Sequence, residues 1–548
     1  MYGMFHRHVA AAAIALTVSG SALAQSSDTP ATQRAGDGPS VGAGVAPAAT
    51  PEAPPLTGME LSKAPIAAAL SGDDAAVAER LRDLIATKLS RSVDRKQDRA
   101  AVEAFYRDRG FAPLWIANGD ATARAKEAVT FVRGVGADGL DPADYPTPQF
   151  AGPGAEARAR DEIALTNSIL NFARHAGTGR VSFSRVSGAI FYEPTSPEPA
   201  NVLADMANAG DIREALDTYH PQHPGYKALK AKLAEARTQS GSASVDTLVA
   251  NMERWRWMPR DLGKAHVVVN IPDYTLAVMD QGKTVWSTRI VVGKPGAMAT
   301  PLLSETMKFI TVNPTWNVPP SIIRNEYLPA LQRDPGALER IGLKIARKSD
   351  GTIRIFQPPG ERNALGRIRF NFPNKFLVYQ HDTPQKHLFA RAQRAYSHGC
   401  MRVQNPEKYA EVLLSIAQPG EGYTAERIRK MYGASERTLT FKQHIPVHLT
   451  YQTAFVDDAG RLQTRPDIYG HDRDILNLLR NDRRNADTPI ARNYHSSSKP
   501  VVAHLPGRSD GYAQDRRVDR YISPRDERVA RRFEYRQGYG RPAYGVPY

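Results

Sequence analysis

The chain has one cysteine, Cys400, in the run Ser397-His398-Gly399-Cys400-Met401-Arg402. A thiol attacks a carbonyl at neutral pH only when an imidazole takes its proton or a positive site lowers its pKa. His381 ends the apolar run Phe376-Leu377-Val378-Tyr379-Gln380, and fifteen residues separate it from Ser397. It can act as the base in acylation and then return the proton to a leaving amine. Gly399 lets the backbone approach closely, so the amides of Gly399 and Cys400 are candidates for an oxyanion hole. Arg402 can grip a substrate carboxylate through two parallel hydrogen bonds, with a structural salt bridge as the alternative. The chemistry indicated is acyl transfer through a thioester.

Imidazole and thiolate also suit zinc, so His381, His387, His398 and Cys400 form a competing metal set. The glycine between His398 and Cys400 favours acyl transfer, and no carboxylate-rich second set accompanies them, so no metal or other cofactor is expected. His387 reads as a surface histidine. His398 either lines a pocket or makes a hydrogen bond inside the turn. Trp255 and Trp257 read as packing residues, and Trp316 as a groove wall or a core residue.

These residues need a frame. Phe376 to Gln380 reads as a strand leading into His381, while Asn405 suits a helix N-cap and Pro406 the first helical position. Ala410, Val412, Leu413, Leu414 and Ile416 give that helix an apolar face, so the cysteine lies shortly before a helix. Alternating β-branched runs at Ala265 to Ile271, Tyr274 to Met279, Thr284 to Val292, Lys308 to Val312 and Arg367 to Phe370 predict strands of a β-sandwich or barrel. Leu439 to Phe441 and Ile445 to Tyr451 close it, and Phe455 to about Leu478 adds a last piece. A mixed segment over 319–363 reads as an inserted cap. From Ser62 to Arg237 the pattern is helical, with helices expected over Ala75 to Leu89 and Asp161 to Ala176. Asp161 and Glu162 should favour the positive end of the second helix, and Trp115 should sit in the core. The fold class expected is α+β, with a helical domain followed by a mainly-β domain.

Composition bounds the setting. A chain of 548 residues exceeds one hydrophobic core and calls for two or three folded units plus tails. Arg7, the apolar stretch Val9 to Val18 and the small-residue site Ala22-Leu23-Ala24 read as an export signal cleaved after Ala24. A Pro/Ala/Gly-rich linker follows over 25–61. No later apolar run is long enough to span a bilayer, so the mature chain should lack a transmembrane segment. A lone cysteine in an exported protein can form no internal disulfide, which leaves its thiol free for chemistry. The formal charge is +15, and Arg480 to Tyr548 holds 15 Lys/Arg against 8 Asp/Glu. Export points that basic tail to the anionic cell wall or an outer-membrane surface and not to nucleic acid, with a merely solubilising tail as the alternative.

The pattern of His381, fifteen residues, then Ser397-His398-Gly399-Cys400 resembles the signature of L,D-transpeptidases with the YkuD-type catalytic domain. Val269-Asn270-Ile271-Pro272, Asn313 to Ile322 and Tyr379 to Pro384 are similar to the large periplasmic Gram-negative subfamily, whose scaffold domain the helical part resembles. The resemblance covers about residues 62 to 478. It implies a helical scaffold domain over 62–244, a catalytic domain over 245–478 with its cap, and a basic disordered tail over 479–548. It also implies that Cys400 attacks a tetrapeptide stem, releases D-alanine and passes the acyl group to a diamino acid on another stem, giving a 3→3 cross-link. His381 would carry the proton, the carbonyl of Asp382 would orient its ring, and Ser397, His398, Tyr379, Trp316 and Arg402 would line the substrate groove. Peptidoglycan stems are the implied partners and the periplasm the implied location. A protein amine on an outer-membrane protein, a D-amino acid or water are alternative acceptors, and a non-catalytic wall-binding protein is the alternative function. The three-helix peptidoglycan-binding module common in the subfamily is not evident, because Leu229 to Ser244 reads as a short link.

Overall fold

The computed structural model describes residues 58–490 except 71, 239–241, 348–351, 483 and 484. The expected export signal, the linker up to residue 57 and the tail from residue 491 lie outside the described residues. Gly58–Ser62, inside the expected linker, is a short helix that buries Leu61. Among the described residues no helix is long and apolar enough to cross a membrane.

Helices fill the first part: α1 (Gly72–Lys88), α2 (Lys96–Asp108), α3 (Ala123–Arg133) and α4 (Gly154–Thr178). Val77, Ala78, Leu81 and Ile85 fall on one face of α1 at three-to-four spacing and are buried. Trp115 is fully buried, as expected, and its indole donates to the Thr166 hydroxyl at 2.9 Å. One expectation fails. Helix α4 starts at Gly154, seven residues before Asp161, so neither Asp161 nor Glu162 marks its positive end. Its opening turns hold alanines, glutamate and arginines with no large apolar residue, and so carry no periodicity to read. Glu162 is instead buried inside, accepting from the amides of Leu114 (2.5 Å) and Trp115 (3.0 Å) and from the Tyr106 hydroxyl (2.8 Å). Burial pushes its carboxyl up to about 7 against the pull of those donors.

The β part comprises β1 (Ala265–Asn270), β2 (Thr275–Asp280), β3 (Lys283–Gly293), β4 (Leu302–Val312), β5 (Ile368–Asn371), β6 (Gln380–His381), β7 (Met401–Val403) and β8 (Arg437–Thr450). Pairing runs β5-β6-β7-β3-β2-β1-β8-β4, and β4 pairs back with β5, so the path closes on itself like a barrel. Val267, Val269, Leu276, Val278, Ile290, Val292, Ile310 and Phe370 fill the core. Strand β8 unites the two pieces expected at 439–441 and 445–451, with a register shift between Thr440 and Ile445.

The helical part is joined firmly to the barrel. Ile190–Phe191 pairs in parallel with Leu302–Leu303 of β4. In the run Met252 to Trp257, Arg256 ion-pairs with Glu253 at 2.9 Å and donates to the Asp138 carbonyl at 2.5 Å. Trp257 donates to the Val181 carbonyl at 2.9 Å, and Arg254 meets Asp472 at 2.6 Å. Trp255 and Trp257 are therefore packing residues. The segment read as a short link is largely the end of helix Pro224–Thr238, which buries Leu229 and Leu233. The segment read as a cap folds around its own apolar cluster, including Val318, Ile323, Leu331, Leu338 and Ile355. Its strands Lys344–Arg347 and Ile353–Gln357 make a three-stranded antiparallel sheet with Trp316–Asn317, just before the expected boundary at 319.

The expectation of disorder from residue 479 is corrected for its first residues. Helix His471–Asn481 runs through it, Ala486 is buried with its carbonyl accepting from Ser182 N at 2.7 Å, and Asp487 pairs with Arg174. The basic composition of the whole tail conceals this acidic anchor.

Candidate active site

Strands β6 and β7 run parallel, with Gln380 opposite Met401 and His381 opposite Arg402. The amide of Met401 donates to the Tyr379 carbonyl at 3.1 Å, which carries the ladder one step further toward Cys400. Side chains alternate along extended chain, so Tyr379, His381, Cys400 and Arg402 share one face. Gln380 and Met401 take the other and are buried, the Gln380 side-chain Oε1 accepting from the Tyr409 hydroxyl of helix Pro406–Ala417 at 2.7 Å. Asn405 stands at that helix's N-cap and Pro406 at its first position, as expected.

The strand expected over Phe376 to Gln380 shrinks to its last residue. Asn374 accepts from the amides of Phe376 (3.1 Å) and Val378 (3.3 Å) and donates to the Val378 carbonyl (2.7 Å), while Leu377 takes a φ of 57°. An Asx-type turn wins over β-propensity there.

His381 is only 5% exposed. Its Nδ1 lies 2.5 Å from the carbonyl of its neighbour Asp382. A carbonyl only accepts, so Nδ1 carries the proton and Nε2 is left with a lone pair. Burial foremost, then the Arg402 charge, push the imidazole down to about 3 against the backbone bond to Asp382, so it is neutral at pH 7. The Asp382 carboxylate is fixed by the amides of Thr383 (2.7 Å) and Arg367 (2.8 Å) and by Lys386 (2.5 Å). Gly366, at φ +61°, makes room: a β-carbon there would stand 2.3 Å from Asp382 Oδ2.

Cys400 is free and partly exposed. Burial of the sulfur pushes the thiol up to about 11, while the Tyr379 backbone and then Arg369 and Arg402 pull it down. A thiol at about 11 holds far less thiolate at neutral pH than a free cysteine, whose pKa is about 8.5. Iodoacetamide should therefore alkylate Cys400 about 100-fold more slowly than free cysteine at pH 7. The rate should keep rising up to about pH 10. Alkylation as fast as free cysteine, levelling off below pH 9, would refute this assignment.

The turn before Cys400 is closed on itself. Ser397 donates to the Cys400 carbonyl at 2.6 Å and accepts from Gly399 N at 3.2 Å, and Thr300 donates to the Gly399 carbonyl at 2.8 Å. Gly399 has φ +116°, a conformation suited to glycine. Ser397, expected to line the groove, is thus buried and engaged within the turn, and so is the Gly399 amide expected in the oxyanion hole. Among the described residues nothing accepts from the Cys400 amide. His398 turns to the cap, where Glu326 meets its Nε2 at 2.6 Å. Trp316 makes an edge contact with Tyr327 of the cap, centroids 6.5 Å apart. Arg402 donates through Nη1 to Gln385 at 2.6 Å. His387 is exposed, and among the described residues no group of three His, Cys, Asp or Glu side chains could hold a metal.

One residue escaped the sequence reading. Arg369 on β5 lies opposite His381, so Arg369, His381 and Arg402 form a row across three strands. The arginine between Ile368 and Phe370 was the available signal.

Family models match in two places: a Scaffold domain over residues 100–233 and an L,D-transpeptidase catalytic domain, YkuD, over residues 264–426. A Haemophilus influenzae protein named "Putative L,D-transpeptidase" is 26% identical over 432 residues, 74% of this chain and 86% of that protein. A solved structure of the Ldtfm–avibactam carbamoyl enzyme is 12% identical, covering 35% of this chain and 51% of that one, and its TM-score of 0.15 makes it no guide to the fold or the chemistry here.

Proposed function

In a chain that joins a Scaffold domain to an L,D-transpeptidase catalytic domain of the YkuD family, we propose that Cys400 carries peptidyl groups as a thioester and passes them to an amine. The single observation behind this reading is the parallel register of β6 and β7, which gives His381 and Cys400 a common face. A neutral imidazole and a protonated thiol make the starting pair. His381 Nε2 takes the thiol proton as the sulfur attacks the donor carbonyl, so no thiolate need accumulate beforehand. The Cys400 amide donates to the developing oxyanion. Collapse breaks the carbon–nitrogen bond, and His381 returns the proton to the leaving amine. An incoming amine then reverses the sequence and frees the thiol. Trp316 and Tyr379 wall the donor groove, and Glu326 with His398 ties the cap to its rim.

The donor is a tetrapeptide stem that loses D-alanine, and the acceptor is the side-chain amine of a diamino acid on a neighbouring stem, giving 3→3 cross-links. The site of action is the periplasm, reached by the export signal over 1–24. The helical domain over 62–244 and the tail beyond residue 490 are the candidate contacts to the wall. Incubation of the mature chain with tetrapeptide-rich sacculi should release D-alanine and yield 3→3 muropeptide dimers detectable by mass spectrometry. Release of D-alanine without dimers would shift the acceptor to water, a D-amino acid or a protein amine. No release at all would defeat the reading.

A further inference from the structure

Building on that reading, we infer that Arg369 is a specificity-determining residue that binds the terminal carboxylate of the donor peptide. Arg369, His381 and Arg402 stand side by side on β5, β6 and β7, so one guanidinium flanks the imidazole on each side. Arg402 is engaged, its Nη1 donating to Gln385 at 2.6 Å. Arg369 is not. Its Nε is buried with no hydrogen-bond partner, and among the described residues no carboxylate pairs with it. Its guanidinium carbon lies 5.4 Å from the centre of the Tyr379 ring, a contact that steadies the plane and leaves its N–H edge free. Both Cys400 and His381 feel its charge.

An unpaired, partly buried guanidinium beside a nucleophile is costly without an anion to satisfy it. The reaction supplies one. The leaving group is an α-amino acid, in which a single carbon separates the amine from the carboxylate. A group that hands a proton to that amine must therefore stand close to the carboxylate as well. With one arm of Arg402 already held by Gln385 on one side of His381, the carboxylate falls to the unpartnered Arg369 on the other.

The test compares a tetrapeptide ending in D-alanine with the same peptide ending in D-alaninamide, reading leaving-group release and acyl-Cys400 mass in the full chain. Wild type should favour the free acid by about 30-fold in kcat/KM, the worth of one charge-assisted bidentate pair. In Arg369→Gln the preference should fall to within about threefold, because the loss on the acid exceeds whatever both donors lose with the charge. Arg369→Lys keeps the charge without the fork and should retain an intermediate preference, and it serves equally if the glutamine variant does not fold. A wild type that uses both donors alike, or an acid preference that survives in both variants, would overturn the assignment while leaving the transpeptidase reading intact. Failure of both donors to acylate wild-type Cys400 would overturn the two together.

Discussion

Replacing Cys400 with alanine is expected to lower D-alanine release by at least about 10⁴-fold and to abolish the mass adduct formed with a carbapenem, because no second thiol exists in the chain to take its place. The loss should be chemical and not structural. Cys400 is partly exposed, and the turn that presents it is held by Ser397 and Thr300 through backbone carbonyls, which alanine retains. Removing one sulfur atom there should cost less than about 1 kcal/mol of stability. Cys400→Ser preserves shape yet offers a hydroxyl that is far harder to deprotonate, so it should also be inactive. Intact-mass measurement after exposure to the carbapenem decides the matter: an adduct that persists in Cys400→Ala would place the nucleophile elsewhere. Unchanged melting alongside lost activity separates this outcome from misfolding.

Legibility in the sequence followed what each signal depends on. The shared face of His381 and Cys400 was readable because a motif of fixed spacing encodes a local turn and a strand end. The strands were readable because Val267, Val269, Leu276 and Val278 alternate, and alternation is a property of the strand alone, whereas the choice of a barrel over a sandwich rests on the distant pairing of β4 with β5. Less was readable where a distant partner decides. Glu162 looked like a helix-start acid, yet its place is set by amides at Leu114 and Trp115, far along the chain. Ser397 looked like a groove residue, yet the turn consumes both sides of its hydroxyl. Phe376 to Tyr379 had strand propensity, but Asn374 captured the amides of Phe376 and Val378. Arg369 could be tied to His381 only when β5 was set against β6, since its own neighbours mark it as unusual without saying what it faces. Asp487 was hidden in the same way, because its role depends on Arg174 across the fold.

His381→Gln should lower acylation at pH 7 by about 10³-fold, the usual worth of a positioned general base. Glutamine can still donate to the Asp382 carbonyl, so the variant isolates loss of the base from loss of the hydrogen bond. The pH profile makes the test specific. With the imidazole pushed down to about 3, the wild-type rate of single-turnover D-alanine release should stay level from pH 7 to pH 5, well below the ordinary histidine range. Without a base only the thiolate reacts, so the variant's rate should rise about tenfold per pH unit toward the thiol value of about 11. The gap between the two proteins should therefore narrow in alkali. Stability should move the opposite way. The folded imidazole titrates below the unfolded one, so wild type loses stability as pH falls from about 6.5 toward 3, because the unfolded chain takes up the proton more readily. His381→Gln lacks that group and should lose less on acidification, seen as a smaller drop in urea midpoint between pH 7 and pH 4. An equal drop in both proteins, or a variant whose acylation deficit is the same at every pH, would remove His381 from the role of base.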